Sequence, residues 1–452
     1  MPSIEHLSGW GNYNKRQCLV QFMSGSVALK NWVTENRDAF IARGYGRSYG
    51  DAAVNSYGHV LKQCYRNRFL KFDEESGKLI CEAGVSLSEI ITVFLPRGWF
   101  LPTTPGTKFV SVGGAIAADV HGKNHHVDGS WGTFVHSFEL LLPNGEVKHC
   151  SRIENKDLFR STIGGMGLTG IILTAEIQLV PVEAAWVKVD YKRTKDLNDT
   201  FATFAEDAAK YRYSVAWIDC VSKGKNMGRS VCMFGNDTDR NEVPDLYRRK
   251  PLSVPTKRKK TVLFDFPNWV LNPFSTKVFN SIYYDSNRNC TKVVDYDSFF
   301  YPLDSILNWN RIYGKRGFVQ YQAFLPPNNA ERGYRRILER ITNAGFASFL
   351  AVFKSCGPGR EGLLSFLDEG YTLALDLPNT GENLRALSNE LDKIVVKNEG
   401  RLYLAKDALT DSTSFAEMYP QLPEFKEIKN RIDPRNQIIS EQARRLKIVE
   451  GV

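Results

Sequence analysis

Residues 113–126 read Gly-Gly-Ala-Ile-Ala-Ala-Asp-Val-His-Gly-Lys-Asn-His-His. Gly113, Gly114, Ala115, Ala117 and Ala118 leave almost no side-chain volume, so a flat ligand can lie against the backbone. His121, Lys123, His125 and His126 then place titratable groups beside that bare surface. A surface that admits a ring system, followed at once by acid/base groups, points to a redox cofactor with a proton acceptor nearby. The competing reading is a glycine turn with solvated histidines. Metal binding by His121, His125 and His126 is disfavoured, because His-x-x-x-His converges on an ion only along a helix and Gly122 argues against one. No metal is expected.

Upstream, Ala42-Arg43-Gly44-Tyr45-Gly46-Arg47-Ser48-Tyr49-Gly50-Asp51 follows the apolar Phe40-Ile41, which reads as a short strand. Gly44, Gly46 and Gly50 permit positive φ, so successive N–H groups can converge into an anion-binding nest. Arg47 adds a fixed positive charge and Ser48 a hydroxyl, both suited to a diphosphate. Downstream, Gly165-Met166-Gly167-Leu168-Thr169-Gly170 fits G-x-G-x-x-G, and Asp190 stands about where a ribose-binding acid would. The element order is wrong for that motif. Asn155–Thr162 reads as helix and Ile171–Leu179 alternates as strand, whereas a dinucleotide fingerprint needs the strand first. The run is therefore predicted to be a helix-to-strand turn.

The 452 residues exceed the size of one core, so two domains are expected. Residues 1–184 alternate short strands, glycine turns and a few helices. Residues 185–400 give strands at 187–191, 214–219, 318–324 and 349–354, with helices at 197–209 and 330–344. That pattern predicts an antiparallel sheet with helices on one side, and an α+β class overall. The eight cysteines, at 18, 64, 81, 150, 220, 232, 290 and 356, lack metal-type spacing and read as mostly buried thiols in a reducing compartment.

The net charge of +9 is uneven: Arg248-Arg249-Lys250 and Lys257-Arg258-Lys259-Lys260 put seven cations into thirteen residues. Val262-Leu263-Phe264, Phe266-Pro267 and Trp269-Val270-Leu271 come next. A basic run beside aromatic and aliphatic residues suits an anionic membrane surface, and predicts a mobile flap at 248–271 beside a substrate entrance. The alternative is a solvated loop. No nucleic-acid motif accompanies the charge, so nucleic acid is not an expected partner. No run of about twenty apolar residues exists, and the N-terminus lacks the apolar core of a secretory signal. A cytoplasmic, peripherally membrane-associated protein is expected.

Leu7-Ser8-Gly9-Trp10-Gly11, the 42–51 loop, Leu101–Thr107, Ala117–His126, Gly164–Ile171, Phe318–Gln322, Val352-Phe353-Lys354 and Arg401–Asp407 occur in that order. This ordered set resembles the vanillyl-alcohol-oxidase-type (PCMH-type) FAD-binding flavoproteins, and within them the decaprenylphosphoryl-β-D-ribose 2-oxidase family. The resemblance implies a two-domain fold, with an FAD domain at 1–184, an antiparallel-sheet substrate domain at 185–400, and a return to the FAD domain at 401–452. It implies FAD-dependent oxidation of the 2-hydroxyl of a polyprenyl-phosphate pentose to a ketone. A separate NAD(P)H-dependent short-chain reductase would complete a 2-epimerisation giving an arabinose donor for cell-wall arabinan.

Carried over residue by residue, the family's FAD contacts fall first on Ala42, Arg43, Gly44, Tyr45, Gly46, Arg47, Ser48, Tyr49, Gly50, Asp51 and Ala52. Further contacts fall on Gly106, Ser111, Val112, Gly113, Gly114, Ala118, Asp119, Val120, His121, Ile172 and Tyr403. The catalytic positions correspond to Lys406 and His121, with Tyr49 flanking. Substrate positions correspond to Trp217, Gln320, Gln322, Lys354 and Thr372. The chain departs from the family at Thr372, where an asparagine is expected, and at Ala374, where a cysteine is. Arg47 stands where superfamily members with linked flavin carry the linking histidine, and no cysteine lies between Cys81 and Cys150. The FAD is therefore expected to be non-covalent. Lys406 would hold the developing alkoxide or accept its proton if burial lowers its pKa, with His121 as the alternative base or a sugar-orienting group. Two other functions fit parts of the sequence: an FAD-dependent oxidase of free polyols or sugars, and a non-enzymatic polyprenyl-phosphate-binding module. A bound yellow chromophore separates the enzyme from the module.

Overall fold

The run Phe40-Ile41-Ala42-Arg43 forms a strand that pairs in parallel with His59–Lys62, which pairs in parallel with Arg16–Phe22. Ser3–Leu7 completes a four-stranded sheet antiparallel to Arg16–Phe22. Parallel neighbours need a crossover, and helix Ser26–Glu35 supplies it, burying Leu29 and Val33. The computed structural model describes residues 2–23, 25–267, 270, 272–348, 350–359 and 361–449.

A second sheet is antiparallel throughout, in the order Phe69–Phe72, Lys78–Glu82, Ile171–Gln178, Val135–Leu141 and Val147–Ser151. Its central strand Ile171–Gln178 alternates buried and half-buried positions, as its sequence dictates. Helix Lys156–Thr162 precedes it, and Gly164, Met166 and Gly167 take positive φ between the two. The G-x-G-x-x-G run is thus a turn into a strand, the reverse of a nicotinamide-site order.

The third sheet has eight strands among the described residues, all antiparallel. Their order is Cys290–Asp295, Trp186–Thr194, Ser230–Asp237, Tyr213–Ile218, Ala351–Cys356, Gly370–Pro378, Phe318–Leu325 and Arg401–Leu402. Helices Leu197–Asp207, Pro327–Asn343 and Glu382–Lys397 pack on it. Tyr334, Ile337, Leu338 and Ile341 give the second of these a continuous buried face. These elements make the expected mixed α+β fold. One apolar core, from Cys18 to Val449, runs through all three sheets.

The chain after Arg401–Leu402 leaves the large sheet and ties itself to the glycine-rich loop. Tyr49 N donates to Ala405 O at 2.9 Å. Arg445 donates to both carboxylate oxygens of Asp51, at 3.0 and 2.8 Å, and to Thr410 O at 2.7 Å. The same guanidinium pairs with Asp407 at 2.9 Å.

The basic segment departs from the predicted free flap. Ala185 N donates to Pro251 O, Trp186 Nε1 to Ser253 O, and Phe266 N to Arg311 O. Lys260–Thr261 pairs with Ile306–Leu307. Lys257 is held by the buried carboxylate of Asp295 at 2.6 Å, so it is not available to an external surface. Backbone groups at Pro251, Ser253, Lys260–Leu263 and Phe266 find partners on the body of the protein, which ties both ends of the segment. Trp269, expected with Phe264 and Phe266 to dip into a membrane interface, lies outside the described residues, as do Leu271 and, in the predicted 349–354 strand, which runs Ala351–Cys356, Phe349.

Arg445→Met would leave Asp51 and Asp407 facing each other without their cation. A fifth of the guanidinium remains exposed, so the loss should lie near the lower end of the range for broken buried pairs, about 3 kcal/mol. The check is the urea midpoint of the variant; a midpoint equal to wild type would show the triad contributes nothing.

Candidate active site

A cavity of about 980 Å³ lies where the three sheets meet. The glycine-rich loop from Ala42 to Tyr49, with Ala52, forms one wall, and Gly106, Ser111, Gly113, Gly114, Ala118, Val120 and His121 continue it. Ile172 and Tyr403 close that side. Trp217, Gln320, Gln322, Lys354 and Lys406 reach it from the large sheet and the segment after it. Five of the expected contact residues do not line the cavity: Gly50, Asp51, Val112, Asp119 and Thr372. They stand behind the wall. Val112 is in the core, and Asp51 serves the Arg445 triad. Asp119 accepts from Gly132 N at 2.9 Å and from Ser365 Oγ at 2.6 Å.

The glycines do different work from that expected. Of Gly44, Gly46 and Gly50, Gly46 alone has positive φ, at +64°. Gly44 and Gly50 are required by close approach. A Cβ on Gly44 would sit 2.3 Å from Ser111 Oγ, and one on Gly50 would sit 1.9 Å from Asp407 O. Gly113 and Gly114 lie in a six-residue helix, Val112–Ala117, whose N-cap Ser111 accepts from Gly114 N at 3.1 Å. Arg47 is fixed over the Trp10 ring at 4.5 Å and donates to Tyr45 O at 2.7 Å.

A dinucleotide with a flat ring system fits this wall. The wall presents Gly113, Gly114, Ala117 and Ala118, carries Arg47 and Ser48, and holds the Gln63 side-chain oxygen Oε1 buried without a hydrogen-bond partner. An unsatisfied polar atom of this kind calls for a ligand donor.

Opposite lies a polar cluster assembled by sheet register. Gln322 pairs with Ala374, Ala374 with Val352, and Val352 with Trp217, so four strands place one row on the cavity side. Gln320 pairs with Asp376 in the row beside it. Lys406 Nζ sits 3.6 Å from the centroid of the Tyr49 ring, a cation–π approach when the amine is charged. Burial pulls Lys406 well below the ordinary lysine range, while the Asp376 carboxylate opposes that fall. The same burial pushes Asp376 up. Asp376 accepts from Gln320 Nε2 and, at 3.3 Å, from Tyr313 Oη.

Both ring nitrogens of His121 are engaged: Nδ1 lies 2.8 Å from Lys354 Nζ, and Nε2 lies 3.3 Å from the Gln322 amide nitrogen. Gln322 also donates to Thr372 Oγ1 at 3.2 Å, so Thr372 acts on the cavity through Gln322. Burial and the neighbouring Lys354 keep His121 neutral, far below the usual histidine value. Lys354 itself is lowered to about 8 by burial. Lys123 is lowered to about 7 and lies 4.1 Å from the Phe299 ring.

The other two histidines diverge. His126 Nε2 is 2.9 Å from both Ala208 O and Tyr211 O. Both ring nitrogens of His125 are buried without partners, and burial lowers it to about 3. Among the described residues no group of three His, Cys, Asp or Glu is placed to hold a metal. Sequence reasoning missed Asp376 and Tyr313. Asp376 had a signal: it is an acid in phase with Thr372 and Ala374 on the otherwise apolar strand Gly370–Pro378.

Residues 27–151 match the FAD binding domain family, and residues 379–446 match the D-arabinono-1,4-lactone oxidase family. The decaprenylphosphoryl-β-D-ribose oxidase of Mycolicibacterium smegmatis is 38% identical over 99% of this chain and 98% of its own. The Streptomyces coelicolor protein designated "uncharacterized protein in mprA 5′ region" is 31% identical over 80% of this chain and 100% of its own. L-gulonolactone oxidase of Bos taurus is 31% identical over 30% of this chain and 31% of its own. The fold, the bare-walled cavity and these matches define an FAD-dependent oxidoreductase. More narrowly, the chain belongs to the decaprenylphosphoryl-β-D-ribose oxidase family.

Arg47 cannot form a flavin linkage, and its guanidinium is already engaged with Trp10 and Tyr45. Acid precipitation of the yellow protein should therefore release all flavin into the supernatant. Colour retained in the pellet would contradict this.

Proposed function

We propose that this protein oxidises the 2-hydroxyl of a decaprenylphosphoryl-β-D-ribose-like polyprenyl-phosphate pentose to the 2-keto sugar. Bound FAD supplies the hydride acceptor. The observation that carries the reading is the Lys406 amine, poised against Tyr49 beside Gln320, Gln322, His121 and Lys354. An apolar lane of Trp217, Met233, Tyr191 and Tyr283 borders the same cavity. The polar cluster suits a sugar, and the lane suits an apolar tail.

Lys406 is the proton acceptor in this reading, because burial favours its neutral amine. Asp376 tempers that effect and orients Gln320. His121 has Nδ1 engaged by Lys354 and Nε2 by Gln322, so it serves to orient those two sugar-facing groups rather than as the base. Tyr49 positions Lys406 through its ring. The keto product needs a hydride donor to return it with inverted configuration, and the partner in this reading is an NAD(P)H-dependent short-chain reductase. Among the described residues no helix is long and apolar enough to cross a membrane. In this reading the enzyme works at an anionic membrane surface, a proposal that the apolar substrate tail and the basic segment support.

Anaerobic mixing with a panel of polyprenyl-phosphate pentoses and free polyols tests the proposal. Flavin bleaching is expected with the ribose compound and not with free pentoses or polyols. Equal bleaching by free polyols would overturn the substrate assignment.

Lys406→Ala should retain FAD and slow flavin reduction by about 10²–10⁴, the usual cost of losing a positioned proton-transfer group. In wild type the rate should rise with pH as the amine loses its proton, with the acid limb below the ordinary lysine range. Asp376→Asn removes the anion that favours the charged amine, so its acid limb should move to lower pH. Stopped-flow reduction across pH gives both results, and an unmoved limb in Asp376→Asn would remove Asp376 from the mechanism.

A further inference from the structure

Helix Pro273–Ser286 is amphipathic in the wrong sense for a core helix. Its inward side buries Thr276 and Asn280, at 2% and 0% exposure. Asn280 Nδ2 donates to Asp219 Oδ1 at 2.9 Å, and Tyr284 Oη donates to Thr194 O at 3.1 Å. The outward side carries Phe274, Val278 and Ile282, spaced at i, i+4 and i+8, with exposures of 77%, 44% and 64%. A globular helix ordinarily turns such a stripe inward.

Two further observations bear on what covers it. From 248 to 286 the chain carries eight cations against two acids, Asp265 and Asp285. Arg249, Lys250, Arg258, Lys260 and, on the helix itself, Lys277 are exposed, as are the neighbouring Leu263 and Phe264. The helix also borders the cavity. Tyr283 packs on Trp217 with ring centroids 4.7 Å apart, and Tyr283, Asn287 and Lys259 share the cavity wall.

We propose that the outward face of helix Pro273–Ser286 is a membrane-docking surface, its apolar stripe entering the interface of an anionic bilayer and holding the cavity mouth against it. The proposal deepens the lipid-substrate reading on which it rests. An in-plane helix of this kind draws affinity from buried apolar area and from cations attracted to anionic headgroups. A second copy of the chain would match the apolar stripe but would bring the same cations face to face, so like charges oppose that occupant. The pairing of Lys260–Thr261 with Ile306–Leu307 adds to the assignment, because it presents Lys260 from a fixed frame.

The test compares wild type with Phe274→Ser/Val278→Ser/Ile282→Ser in co-sedimentation with phosphatidylcholine vesicles, with and without phosphatidylglycerol. Wild type should bind the anionic vesicles, and the triple variant should bind at least about tenfold more weakly. Flavin content and oxidation of a short-chain soluble analogue should stay unchanged, since these side chains point away from the cavity. A second variant, Arg258→Ser/Lys260→Ser/Lys277→Ser, should lose the preference for anionic over neutral vesicles. Undiminished vesicle binding by the triple variant overturns the proposal. So does a wild-type dimer in sedimentation velocity that the triple variant dissolves while vesicle binding persists. The vesicle assay needs no substrate, so a failed sugar assignment leaves its result readable.

Discussion

The site depends on one tie: the segment after Arg401–Leu402 is fastened to the glycine-rich loop. The hydrogen bond from Tyr49 N to Ala405 O sets the two backbones side by side. The Arg445 pairs to Asp51 and Asp407 lock the same contact from behind. Gly50 makes that approach sterically possible, because any side chain there would collide with the Asp407 carbonyl. With this tie in place Lys406 meets the Tyr49 ring, and residues at opposite ends of the chain face a single cavity.

Electrostatics then gives the cavity its chemistry. Lys406, Lys354 and Lys123 are all buried enough to weaken their hold on a proton. A buried amine is expensive to keep charged, so each is available to exchange a proton near neutrality. Asp376 prevents the cluster from becoming uniformly reluctant to carry charge. The Lys354–His121 contact removes one histidine nitrogen from service. Such sharing of roles among close titratable groups is characteristic of sites that move protons.

The basic segment and the helix after it illustrate how charge and topology interact. A run of cations in sequence says nothing about whether each is free. Lys257 is consumed by Asp295, and the backbone on either side is tied to Ala185 and Arg311. The inverted helix is invisible in composition, since Phe274, Val278 and Ile282 at helical spacing ordinarily announce a core face.

The sequence by itself determined a good deal. Periodicity predicted strands at 187–191, 214–219, 171–179 and 318–324, which form as Trp186–Thr194, Tyr213–Ile218, Ile171–Gln178 and Phe318–Leu325, and the turn at 165–170, because pleat and helix periods are local properties. The bare run 113–118 and the 42–51 loop marked the cofactor wall, because small residues leave a recognisable gap. Ordered motifs carried the family. Tertiary structure alone decided the rest. Strand register put Gln320 against Asp376 and Val352 against Trp217, and register is fixed by pairing partners far away in the chain. It also decided that Gly46, not Gly44 or Gly50, uses positive φ, and that Asp51, Asp119 and Thr372 support the wall from behind. Spacing along a chain cannot show which side of a wall a residue occupies, since that depends on what packs against it.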